Sequence, residues 1–155
     1  SNIMQYNEGQ LNMLYDNLEE EFLLEQADDD IQNRLIIFDD VGYSGNLKSK
    51  AFGVISKLVA NGRHLNLSQI YTSQRMSMTS TTLRSNLTGL IAFNASMKEL
   101  DLIEADFNYL DSRKEFIAMF REHTKGIRDF IVLNFTGTNG LYYDSEFKAI
   151  KNLSR

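Results

Sequence analysis

Two short apolar runs, LIIF at residues 35–38 and LIAF at residues 90–93, carry no polar residue at alternate positions. Strands with one wet face alternate apolar and polar residues, whereas uninterrupted runs mark strands covered on both faces, as in a parallel sheet flanked by helices. Segments with helical spacing surround them. Residues 9–26 place Leu11, Leu14, Tyr15, Leu18 and Phe22 three and four apart, and the pattern returns over 47–60, near 97–107 and over 111–123. Further strands are expected at SQIYTS (68–73) and DFIVLNF (129–135), and a short Ser/Thr-capped helix within TSTTLRSNL (79–87). Asn61-Gly62 reads as a helix stop, and TGTNGLYYD (136–144) as a turn into a short last strand. Strands alternating with helices predict an α/β sheet, mostly parallel, with an antiparallel C-terminal hairpin, in a single domain over residues 1–155.

Composition narrows the class. A chain of 155 residues with 43% hydrophobic and 24% charged residues can build a core and is not disordered. No apolar run approaches the ~18 residues of a membrane span. Without cysteine there is neither a disulfide framework nor a thiolate metal site, which fits an intracellular protein. The lack of proline and the many asparagines fit an AT-rich, viral coding genome.

Charge is segregated. From Val41 to Lys98 there is no Asp or Glu, while Lys48, Lys50, Lys57, Arg63, Arg75, Arg84 and Lys98 give that window a net +7. The remainder carries nine basic and 21 acidic residues, so the overall net charge of −5 conceals one segment able to face an anion. The bland reading is chance clustering on solvated faces.

The stretch LIIFDDVGYSGNLKSK, residues 35–50, resembles a nucleotide-binding element in two incompatible ways. Gly42, Lys48 and Ser49 have the spacing of a phosphate loop, but Leu47 stands where that loop needs glycine. A Cβ there obstructs the nest of backbone N–H groups, and Asp39 and Asp40 would sit at the mouth of a site built for a polyanion. The carboxylates themselves suit the surroundings better. Two acids at the carboxyl end of a buried strand emerge where open α/β sheets bind ligands, and successive side chains can serve different partners. Solvated loop acids, or caps for the following helix, remain the structural alternative.

Downstream, NGRHLNLSQIYTSQ places Arg63 before a strand and Gln74 after it, and TLRSNLTGLIAF follows. In order and spacing, LIIFDD and these two segments, covering roughly residues 33–95, resemble the genome-packaging ATPases of the FtsK–HerA superfamily. The resemblance implies a P-loop (RecA-like) three-layer sandwich and a motor that drives viral double-stranded DNA into capsids by ATP hydrolysis. It implies that Asp39 is the Walker B acid holding Mg²⁺ through water, and that Asp40, where many relatives have glutamate, orients the attacking water. Gln74 would sense the γ-phosphate. Arg63 would be an arginine finger reaching a neighbouring subunit of a homo-oligomeric ring, with Arg84 the runner-up or a phosphate contact. The plainer reading of Arg63 is a helix-end cation, and His64 reads as a packing residue. Lys48 and Lys50 could touch DNA backbone in a pore, or merely cover a helix face. Met76, Met78, Met97 and Met119 read as gap-fillers. Portal or capsid vertex proteins would be partners, in the cytoplasm of the infected cell and with the virion.

The chain departs from that family in one respect: no phosphate loop with both glycines occurs in it. The expectation is therefore the C-terminal portion of a longer P-loop ATPase, an incomplete sandwich lacking a central strand and unable to hydrolyse ATP alone. A second reading, from a different class, is a non-catalytic ATPase-like module that binds a motor subunit or DNA. A metal-dependent nuclease built on Asp39 and Asp40 ranks third, because no further carboxylate stands in the following 58 residues.

Overall fold

The computed structural model describes residues 7–28, 30–40, 53–136 and 141–150. They fall into two compact units, one ending at Asn86 and the other beginning at Leu87. The expected helix start at 47–52 and the tip of the last turn at 137–140 lie outside the described residues.

In the first unit, α1 (Glu8–Asp28) leads to β1 (Arg34–Phe38), then α2 (Gly53–Asn61) and a 3-10 turn (Gly62–Leu65). β2 (Leu67–Tyr71), a second 3-10 turn (Met76–Met78) and α3 (Thr81–Ser85) complete it. β1 and β2 pair in parallel, from Arg34 opposite Leu67 to Phe38 opposite Tyr71, as a crossover through a helix requires. Leu11, Tyr15 and Leu18 of α1 are buried against Phe38 and against Ile55 and Leu58 of α2. The helical face legible in the sequence is the face that packs.

Arg34 ties the start of β1 to α1. Its guanidinium donates to both Glu25 carboxylate oxygens, through Nη1 to Oε2 at 2.9 Å and through Nη2 to Oε1, and Nη2 also reaches Glu21 Oε2 at 3.2 Å. The hydrogen bonds from Arg34 hold the Glu25 carboxyl below its ordinary range. Its stabilising share is thus present at neutral pH and is lost as the pH falls through that lowered value.

The chain leaves the α-helix at Asn61-Gly62, where the sequence reads a stop. The 3-10 turn carries it on to Asn66, which adopts the left-handed conformation at φ 52°. Asparagine tolerates that region, and its Nδ2 donates to Gln32 O (3.2 Å) and Asn33 Oδ1 (2.9 Å), closing the turn onto the approach to β1. Gly62 serves a different need. A Cβ there would stand 2.1 Å from Gln69 Nε2, which donates to Leu58 O at 2.6 Å while Gln69 Oε1 accepts from the Tyr71 hydroxyl at 2.6 Å. Burial pushes the Tyr71 pKa up, so this hydroxyl stays protonated and keeps donating. Gly62→Ala is expected to displace Gln69 and cost about 1–3 kcal/mol, read as a lower urea midpoint with unchanged slope.

The second unit comprises β3 (Gly89–Phe93), α4 (Met97–Phe107), α5 (Arg113–His123), β4 (Phe130–Asn134) and β5 (Tyr142–Tyr143). Ser80, Ser96 and Ser112 each accept a backbone N–H three residues on, at the starts of α3, α4 and α5. The expectation of a mostly parallel sheet needs correcting here. β3 and β4 are antiparallel, as are β4 and β5, and β1–β2 form a separate sheet. One crossover helix returns the chain to the end where a parallel strand can begin. Two consecutive helices, α4 and α5, leave it at the other end, so β4 must run back.

Ile131, Leu133, Phe116 and Tyr142 are essentially inaccessible. The Tyr142 hydroxyl donates to Phe107 O (3.0 Å) and accepts the Tyr109 N–H (2.7 Å). Burial, its largest influence, pushes its pKa up to about 12. Tyr142→Phe leaves both backbone groups without this partner, and a loss of about 1–3 kcal/mol is expected in urea unfolding. In the wild type, stability from this phenol is complete below pH 10 and declines as the pH rises from 10 through about 12, because the unfolded phenol ionises first. The Tyr142→Phe variant, with no phenol to ionise, would flatten that alkaline decline.

A second correction concerns the uninterrupted apolar runs. Helices pack on one face of each sheet, and the outward residues remain accessible, Leu35 at 55%, Ile37 at 58%, and Ile91 and Phe93 at 56% each. The pattern encodes two covered faces; the packing within each unit covers one.

Candidate functional site

Phe38 and Tyr71 occupy the last paired rung of β1 and β2, and their rings stack at 4.7 Å with planes 4° apart. That stack fixes the register, so the next residue on each chain, Asp39 and Thr72, face one another across the strand ends. The Thr72 N–H donates to Phe38 O at 2.9 Å, extending the ladder by one bond.

A compact polar constellation follows. The Thr72 hydroxyl donates to Asp39 Oδ1 at 2.7 Å and accepts the Asp40 N–H at 2.8 Å. Gln74 Nε2 donates to Asp40 Oδ2 at 3.1 Å. Asp40 itself is left-handed, with φ 48°. The structure therefore brings together three residues singled out from the sequence, Asp39, Asp40 and Gln74, all exposed at the carboxyl ends of parallel strands. It adds Thr72, which sequence reasoning missed. The signal was present: a hydroxyl residue one step beyond a strand, level with the first acid once the two five-residue strands are aligned.

The other sequence candidates lie elsewhere. Arg63 is exposed in the 3-10 turn before β2. It therefore stands at the opposite end of the strand pair from the acids, about 16 Å away along a five-residue strand. His64 is exposed too, so it is not a packing residue. Arg84 is half-buried on α3 and donates from Nη1 to Thr79 O at 2.9 Å, an engagement within its own unit. Lys48 and Lys50 fall outside the described residues, as does the Gly42–Ser49 imitation of a phosphate loop. Among the methionines, Met119 is buried as a filler should be, whereas Met97 is exposed and its sulfur meets Arg121.

The donor set decides what chemistry fits. Thr72 occupies one oxygen of Asp39, and Mg²⁺ characteristically takes one or two carboxylates, keeps several waters and completes its shell with substrate phosphates. Asp39 fits that requirement. No group of three or more His, Cys, Asp or Glu side chains gathers among the described residues, as an all-protein metal cage or a nuclease centre would need. No helix among the described residues is long and apolar enough to cross a membrane.

Comparison with known proteins places the chain in a family. The sequence model of the family described as Poxvirus A32 protein matches residues 3–145. The chain belongs to the Poxvirus A32 protein family. Among solved structures it is similar to the DNA-packaging ATPase B204 of Sulfolobus turreted icosahedral virus, with a TM-score of 0.62 and 14% identity over 96% of this chain. It is also similar to the genome-packaging NTPase B204 of Sulfolobus turreted icosahedral virus 2. The complex with ATP-gammaS gives a TM-score of 0.60 with 18% identity over 94% of this chain, and the AMPPCP complex 0.58 with 17% over 90%. The chain spans 66%, 66% and 65% of those three chains respectively. No curated protein matches it. At these identities the structural likeness concerns the fold, which is α/β and shared with packaging ATPases, in keeping with the resemblance read from the sequence.

Proposed function

We propose that the chain forms the hydrolysis half of a viral ATPase that packages double-stranded DNA. The observation that carries this reading is the Asp39–Thr72–Asp40–Gln74 constellation at the ends of two parallel strands, in a chain of the Poxvirus A32 family with the fold of packaging ATPases. Its two units are read as parts of one P-loop ATPase core.

Asp39 would hold Mg²⁺ through its water shell, and the ion when bound would offset charge on the triphosphate. Asp40 acts on the attacking water, aligning it with the γ-phosphorus and drawing on its proton as the new P–O bond forms. The bond from the γ-phosphorus to the bridging oxygen breaks, and ADP leaves with that oxygen. Gln74 has two amide hydrogens, enough to hold Asp40 and meet a γ-phosphate oxygen at the same time. Departure of phosphate then releases one of those bonds, at the end of the strand that carries Gln74.

Arg63, remote from the acids of its own chain, acts in this scheme on the nucleotide of a neighbour in a homo-oligomeric ring. Lys48, Lys50 and Arg84 are assigned to the DNA backbone, with portal or capsid vertex proteins as partners. The setting is the infected cell's cytoplasm and the assembling virion. The test is ATP turnover by the ATPase as it is naturally made, with and without double-stranded DNA. Stimulation by DNA that fades as salt rises is the expected result. Turnover indifferent to DNA at every salt concentration would sink the translocase reading.

A further inference from the structure

We propose that Thr72 is a positioning residue for hydrolysis, setting the two acids relative to one another through a single hydroxyl. The proposal rests on the ATPase reading of the site and assigns to Thr72 a part within it.

A threonine hydroxyl has one proton. In this structure it goes to Asp39 Oδ1 (2.7 Å), so the oxygen's lone pairs are what meet the Asp40 N–H (2.8 Å). The polarity of the link is thereby fixed: a donor toward the carboxylate assigned to the metal shell, an acceptor toward the backbone of the acid assigned to water. Asp40 needs such a hold. Its φ of 48° lies in the left-handed region, costly for a residue with a Cβ, and aspartate is among the few that visit it with local hydrogen bonding. The N–H bond to Thr72 holds the backbone there, and the Gln74 amide holds the carboxylate at 3.1 Å. The two carboxylates are adjacent in sequence yet accept from different residues of the segment after β2, Asp39 from Thr72 and Asp40 from Gln74. Among the described residues, Thr72 hydrogen-bonds to both Asp39 and Asp40.

The hydroxyl is exposed and sits beyond the last strand rung, so little of the fold depends on it. A residue that merely capped the strand end would affect melting and leave chemistry alone. A positioning residue would affect kcat and leave melting alone.

The experiment compares wild type, Thr72→Val, Thr72→Ser and Asp40→Asn in the ATPase as it is naturally made, measuring kcat and KM for ATP, the Mg²⁺ dependence and the melting temperature. Thr72→Val keeps the shape but removes the hydroxyl. It is expected to lower kcat by about 10- to 100-fold, the usual effect of losing a group that orients a metal-site carboxylate, with KM for ATP within about threefold of wild type. Thr72→Ser, which keeps the hydroxyl, should restore most of the rate at an unchanged melting temperature. Should Thr72→Val fail to fold, Thr72→Ala carries the same expectation.

Wild-type kcat in Thr72→Val alongside an inactive Asp40→Asn would overturn the role of Thr72 and leave the ATPase reading standing. Equal loss in the valine and serine variants would also overturn it, since the methyl group and not the hydroxyl would then matter. Unchanged turnover in Asp40→Asn would instead overturn the reading on which the proposal rests.

Discussion

Replacing Asp40 by asparagine is expected to lower ATP turnover about 10²- to 10⁴-fold, the range associated with losing a positioned general base, while nucleotide binding persists. The substitution is unusually clean. Asp40 stands at φ 48°, a conformation that asparagine tolerates as well as aspartate does. Its N–H can still donate to Thr72, so the turn survives. What changes is the carboxylate. An asparagine amide offers one acceptor oxygen in place of two and no negative charge, so it can hold a water but cannot draw its proton away. The measurements are single-turnover hydrolysis and nucleotide affinity on the same preparation. Turnover within threefold of wild type would remove Asp40 from the chemistry.

The second large effect concerns Arg63, and the way to read it is by mixing. Arg63→Ala in every subunit is expected to reduce turnover by about 10³-fold, the scale of a lost arginine finger. Within one chain this arginine lies at the end of the strand pair remote from Asp39 and Asp40, so any action on nucleotide must come from a neighbour. Rings assembled from Arg63→Ala and Asp40→Asn subunits separate the alternatives. Each variant alone is inactive, but where they adjoin in the right order an intact Asp40 meets an intact Arg63. Partial recovery of turnover is the expected result, rising and falling with the mixing ratio. Mixed rings as inactive as their parents would show that Arg63 does not act across an interface.

Much of this arrangement is legible in the sequence. Leu11, Tyr15 and Leu18 announce the buried face of α1 by their spacing, and the Ser/Thr capping read in TSTTLRSNL is met by Ser80 ahead of α3. Asp39, Asp40 and Gln74 each stand out just after a strand in the sequence, and the structure brings them to one end of the strand pair, where Gln74 donates to Asp40. Other features turn on facts that no local window carries. The reversal of β4 depends on counting helices between strands, and DFIVLNF would look the same in either direction. The apolar runs around Ile37 and Ile91 state that a face should be covered but not by what, so accessible faces could not be foreseen. Asn61-Gly62 does end α2, but not through a left-handed glycine. The left-handed residue proved to be Asn66, and Gly62 is small to admit Gln69. Thr72 was overlooked because a threonine beside a strand is ordinary until the register places it opposite an acid.

The left-handed turn at Asp40 has a genetic consequence. Aspartate and asparagine codons differ by one transition in the first base, and this backbone accepts both residues. On the proposed reading of Asp40, a single point mutation would convert a working subunit into one that folds, takes its place beside its neighbours and holds nucleotide without spending it. Such a passenger would occupy a site of the proposed ring without turning it over, so one mutated template in a mixed infection would slow every motor it enters.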